Sequence, residues 1–92
     1  MNWQIDLLPE AERQLADLED SVRAACLGEL EDMEQGYFGD SQPLRGHRSF
    51  ERARFYRKAY RIIYRINRRG RRILVTRIGH RSDSVYKGYS HT

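Results

Sequence analysis

Arg52, Arg54 and Arg61 are the residues of this 92-residue chain whose type and spacing point most directly to chemistry. They lie in the stretch FERARFYRKAYRIIYRI, residues 50–66. Both halves of that stretch alternate, which is the period of a half-buried strand. Ala53 and Phe55 point one way, and Arg52, Arg54 and Tyr56 the other. In the second half Tyr60, Ile62, Tyr64 and Ile66 share a face, opposite Arg61, Ile63 and Arg65. A turn of two or four residues around Arg57-Lys58 sets Phe55 opposite Tyr60 and Arg54 opposite Arg61. Both faces are then consistent, which an odd loop would not allow. One face is apolar and can seal a core. The other gathers three guanidinium groups, and like charges opposite each other on a sheet are unfavourable. Such a cluster makes sense when an anion sits among them, and arginine is the side chain best shaped to grip phosphate.

The rest of the chain supplies the elements that must hold this hairpin. Trp3, Ile5 and Leu7 alternate with polar residues and predict a short N-terminal strand. Pro9 suits the first turn of a helix to Leu18, with Ala11, Leu15 and Leu18 on one stripe. Asp20 or Ser21 can cap a second helix to about Gln35, facing inward through Val22, Cys26, Leu30 and Met33 and stopped by Gly36. Residues 36–49, GYFGDSQPLRGHRS, read as one long connection, from which Arg45, His47 and Arg48 could reach a ligand. After the hairpin, Asn67-Arg68-Arg69-Gly70 reads as a turn in which the glycine can take a positive φ. A third strand follows to Ile78, with Ile73 and Val75 alternating against Leu74, Thr76 and Ile78. The pattern predicts an α+β domain spanning residues 1–92: an N-terminal strand, a two-helix hairpin, then a three-stranded antiparallel meander, with the helices on one face of the sheet.

The totals narrow the function classes. Charge is polarised: residues 1–36 hold ten acidic and two basic residues, residues 37–92 three acidic and fifteen basic. An excess so concentrated suggests an anionic partner for the second half, nucleic acid above all. The single Cys26 cannot form an internal disulfide and fits a reducing interior. No apolar run reaches membrane-spanning length, and MNWQIDLLPE lacks the basic start of a signal peptide, so a cytoplasmic location is expected. His47, His80 and His91 have no ligand-like spacing, so neither metal nor cofactor is expected.

Three blocks, in order, carry a resemblance: Leu44-Arg45-Gly46; Ala59-Tyr60-Arg61-Ile62-Ile63-Tyr64; and Gly79-His80-Arg81 followed by Val85-Tyr86. Together they resemble the RelE/ParE superfamily of toxins from type II toxin–antitoxin pairs, over essentially the whole chain. The RelE-like branch implies a ribosome-dependent endoribonuclease that cuts mRNA in the A site through the RNA's own 2′-OH, without a metal, and is neutralised by a cognate antitoxin in a hetero-oligomer. The resemblance implies catalytic roles for Arg52, Arg54, Arg61, Arg81 and Tyr86. Arg45, Arg48 and His80 are expected to contact RNA. RelE has lysines where this chain has Arg52 and Arg54. Arginine is effectively always charged, so the general base stays open, with Tyr86 ranked above His80. ParE-like relatives share the fold but inhibit DNA gyrase without nuclease chemistry, and a non-catalytic RNA- or ribosome-binding module is the remaining alternative.

Overall fold

The computed structural model describes residues 2–44 and 47–82, excluding the side chains of His47 and Arg48. Its elements run β1 (Gln4–Leu7), α1 (Pro9–Ala16), α2 (Asp20–Glu34), β2 (Asp40–Leu44), β3 (His47–Phe55), β4 (Tyr60–Asn67) and β5 (Arg72–His80). The strands form one five-stranded sheet in the order β1-β5-β4-β3-β2. β1 lies parallel to β5, and the other neighbours are antiparallel. The antiparallel part is therefore a four-stranded meander rather than the expected three.

The additional strand is β2, which sequence periodicity assigned to the long connection. Asp40, Ser41, Gln42 and Pro43 pair with Arg54, Ala53, Arg52 and Glu51. The segment lacks alternating hydrophobicity because it sits at the sheet edge, where a proline with no N–H to give is tolerated. The β3–β4 register is the one that alternation requires: Arg54 opposite Arg61 and Phe55 opposite Tyr60.

Ala53, Phe55, Ile62, Tyr64, Ile73, Val75 and Ile78 form the main core with Ala11, Val22, Cys26, Leu30 and Met33 of the helices. Strict alternation would send Ile78 to the other face from Ile73 and Val75. The register shifts between Ile63 and Tyr64 of β4, so that Ile63 faces Arg77 and Tyr64 faces Val75, which leaves Thr76 as an extra residue on β5. This bulge returns Ile78 to the helix side. Thr76 Oγ1 donates to the Ile63 carbonyl across it at 3.2 Å. β1 pairs β5 only as far as Val75. Beyond that point α1 covers the edge, and the Ile78 N–H donates to Gln14 Oε1 at 2.8 Å.

The helix ends differ from the sequence reading in detail. α1 stops at Ala16, two residues before Leu18. α2 is preceded by Glu19, with no side-chain cap from Asp20 or Ser21; Asp20 instead pairs with Arg23 at 2.5 Å. Gly36 follows α2 with φ 90°, as a left-handed helix stop requires. In the β4–β5 turn the left-handed residue is Arg71, φ 53°, and not Gly70, whose N–H is instead taken by Asn67 Oδ1 at 3.0 Å. Among the described residues no helix is long and apolar enough to cross a membrane.

Ile62 is fully buried at the centre of this core. Ile62→Ala is expected to cost about 2–5 kcal/mol in urea-induced unfolding. Cys26 is also fully buried, and burial, assisted by Glu29, pushes its thiol up to about 12. A thiol reagent at pH 8 should leave it unmodified in the folded protein and label it on unfolding.

Candidate functional site

The face of the sheet turned away from the helices is a ladder of side chains, because residues paired across strands share a face. Its first rung is Asp40, Arg54, Arg61 and Gly79. The second is Gln42, Arg52, Ile63 and Arg77. The third is Phe50, Arg65, Leu74 and Asp6. The face is not wholly bare, since Ile63 is fully buried beneath Leu44 and Phe50, a small second core that fixes the rows on either side. The structure therefore brings Arg52, Arg54 and Arg61 together, as alternation predicts.

The anion that the cluster calls for is in part internal. Asp40 Oδ2 accepts from Arg54 Nε at 2.6 Å, and Asp40 Oδ1 lies 3.9 Å from Arg52 Nη1. Arg52 also donates to the Asp40 carbonyl at 3.3 Å and to Gln42 Oε1 at 3.1 Å. The Arg54 hydrogen bond is the main cause that holds the Asp40 carboxyl below its usual range. Sequence reasoning missed Asp40. It lies 14 residues from Arg54 on a strand without periodicity, so the only available signal was its place as one of three acids in the basic half.

Arg61 is held differently. Its Nη1 donates to the Lys58 carbonyl at 2.7 Å and to the Tyr60 carbonyl at 3.2 Å. Its Nε is buried with no acceptor among the described residues. The Lys58 carbonyl belongs to an unusual turn. Tyr56, Arg57 and Lys58 have φ of 47°, 61° and 60°, a conformation that costs non-glycine residues roughly 1–2 kcal/mol each. Arg61, the Ala59 N–H bond to the Tyr56 carbonyl (3.1 Å) and the Arg81 N–H bond to the Ala59 carbonyl (2.8 Å) hold it closed. That last bond places Arg81 beside the hairpin turn, and its side chain is exposed.

His80 does not join the arginines. It pairs with Tyr60, so it lies on the helix side of the sheet, edge-on to the Tyr60 ring at 5.0 Å. Its Nδ1 accepts from the Ser82 N–H at 3.0 Å. The expected RNA contact of His80 is thus not supported from this face. Tyr64 is buried, which raises its phenol pKa and fits its expected packing role. Tyr86, Arg45, Asp83 and the side chains of His47 and Arg48 lie outside the described residues.

One acid stands apart. Glu29 of α2 packs against Gly39, and its Oε2 is buried with no partner among the described residues. Burial first, then Asp32 and Asp40, raise its pKa. Glu29 and Asp40 therefore act on stability with opposite signs. Asp40 adds stability above its unfolded pKa, near 3.9, and loses it as pH falls through the lower folded value. Glu29 carries no penalty below its unfolded pKa, near 4.3, and costs stability as pH rises from there through its raised folded value. Thermal melts at pH 7 should show Asp40→Asn less stable and Glu29→Gln more stable than wild type. The Glu29 difference should fade as pH falls toward about 4, and the Asp40 difference as pH falls further below that.

Residues 5–85 match the family model described as the ParE toxin of the type II toxin–antitoxin system parDE. Among solved structures, the RelBE2 toxin–antitoxin complex from Mycobacterium tuberculosis aligns with a TM-score of 0.71 at 24% identity, over 88% of this chain and 100% of that one. The E. coli RelBE complex aligns at 0.70 and 20% identity, over 88% and 99%. The isolated E. coli RelE toxin aligns at 0.70 and 21%, over 96% and 92%. At these identities the likeness is one of fold. No curated protein matches the chain.

Proposed function

The chain belongs to the ParE toxin family of the RelE/ParE superfamily, and from that premise we propose that this type II toxin is a ribosome-dependent mRNA endoribonuclease. The observation that carries the reading is the Arg54–Arg61 cross-strand pair, in which Arg61 keeps a buried N–H without an acceptor among the described residues. A buried charged donor left unpaired is costly, and a phosphate oxygen would relieve it. Arg52, held beside the pair by Asp40 and Gln42, adds positive charge along the same face.

Cleavage by the RNA's own 2′-OH requires three events. The 2′ proton leaves, the 2′-oxygen bonds to the adjacent phosphorus, and the bond to the 5′-oxygen breaks as that oxygen gains a proton. Arg54 and Arg61 serve the middle event by stabilising the negative charge that develops on the non-bridging phosphate oxygens, which is usually the largest catalytic term. Arg81, beside the turn, supplies a further guanidinium. Asp40 is a weak base because Arg54 lowers its pKa. Tyr86 is the residue proposed for proton transfer, since neighbouring cations lower a phenol's pKa toward useful values.

The reading includes a cognate antitoxin that holds the toxin inactive in the cytoplasm, as two of the solved structures it resembles are toxin–antitoxin complexes. A second reading, gyrase inhibition without nuclease chemistry, is favoured by the ParE description of the matching family and by the Asp40 pairing that neutralises part of the cluster. A cell-free translation reaction with mapped mRNA ends separates the two. The nuclease reading expects ribosome-dependent cuts within codons, lowered about 10²–10³-fold in Arg61→Ala. Intact mRNA together with blocked DNA supercoiling would replace it with the second reading.

A further inference from the structure

The open face has a second basic end that the proposed cleavage site does not use. At the seam of β1 and β5, a cleft of about 320 Å³ is lined by Asp6, Arg65, Asn67, Arg72 and Leu74 among others. Asp6, Leu74 and Arg65 share one rung, and Arg72 and Asn67 pair on the next. The electrostatics differ from those of the first rung. Arg54 and Arg52 are paired with Asp40. Here two guanidinium groups and a carboxylate line one cleft, and none of the three forms an ion pair among the described residues. The Arg65 guanidinium lies over the Phe50 ring at 5.7 Å, which steadies a flat, cationic surface. Both Asp6 oxygens accept from the Gln4 amide, Oδ1 at 3.5 Å and Oδ2 at 3.2 Å, and a carboxylate retains further lone pairs for other donors.

We propose that this cleft is a nucleobase subsite that prefers guanine in the RNA strand lying along the open face. The proposal rests on the nuclease reading for its strand and adds what that reading leaves unspecified, the base recognised. Unpaired bases stack on guanidinium planes and are read along their Watson–Crick edges. Guanine presents two adjacent N–H donors there, N1–H and N2–H, which one carboxylate can accept together. Arg65 supplies the stacking plane, Asp6 the paired acceptor, and Arg72 the charge for the flanking phosphate. Arg65 is four residues along β4 from Arg61, roughly 13 Å at about 3.3 Å per residue, so the base read is displaced along the strand from the phosphate cut.

The test is fluorescence anisotropy with 2′-O-methyl hexanucleotides, which cannot be cleaved, carrying a single G, A or C in a uridine background. Wild type should bind the G hexamer about tenfold more tightly than the others. Asp6→Asn should erase that preference with little loss for all-uridine RNA. Arg65→Ala with Arg72→Ala should weaken every hexamer about tenfold. All three side chains are exposed, and thermal melts confirm that each variant is folded. A guanine preference that survives Asp6→Asn, an affinity untouched by the arginine pair, or no base preference in wild type overturns the proposal. Ribosome-dependent cutting without any of these effects removes the cleft alone. The effects without cutting keep the cleft and remove the nuclease reading.

Discussion

The four-residue turn that closes β3 onto β4 fixes in one step which side chains meet the helices and which meet the outside. Alternation has a period of two, so an even loop keeps Ala53, Phe55, Ile62 and Tyr64 together beneath α2, and Arg52, Arg54 and Arg61 together on the far side. Moving the register by one residue would bury guanidinium groups and expose the core. The turn carries three left-handed non-glycine residues. Burial of Ile62 and Tyr64 behind it, and Arg61 clamped to its Lys58 carbonyl, offset that strain. The same arginine thus serves the fold and the site. Its Nη1 ties the turn, while its buried Nε has no acceptor among the described residues.

Charge on the open face is graded rather than uniform. Near the turn, Asp40 offsets Arg54 and Arg52. At the β1 end, Arg65 and Arg72 have no such partner among the described residues. A carboxylate among arginines fixes their positions as well as lowering the net charge, and fixed donors are worth more at a developing oxyanion than mobile ones. The acidic helices reach this face through Glu10 of α1, whose Oε2 lies 3.9 Å from Arg77 Nε. They carry most of the chain's acids on the other side of the sheet.

Much of this arrangement was legible in the residues. The β3–β4 hairpin could be read because apolar and charged residues alternate on both strands. The inward stripe Val22, Cys26, Leu30, Met33 could be read from helical spacing, and all four are buried. β2 could not, because an edge strand of Asp-Ser-Gln-Pro-Leu has no periodic signal and is defined by its partner. Asp40 was lost with it. The face of Ile78 was hidden by the bulge at Thr76, since one extra residue inverts parity without altering composition. The left-handed position at Arg71 rather than Gly70 follows from Asn67 capping the turn, a contact that residue preference alone does not specify.

The measurement that tests the central claim most directly is a structure of the Arg61→Ala protein on a translating ribosome with mRNA in the A site. The account predicts the mRNA backbone lying across the open face, with a phosphate beside Arg54 and the position vacated by Arg61. A bound protein that turned its helices toward the mRNA, with the arginine rungs facing solvent, would contradict it.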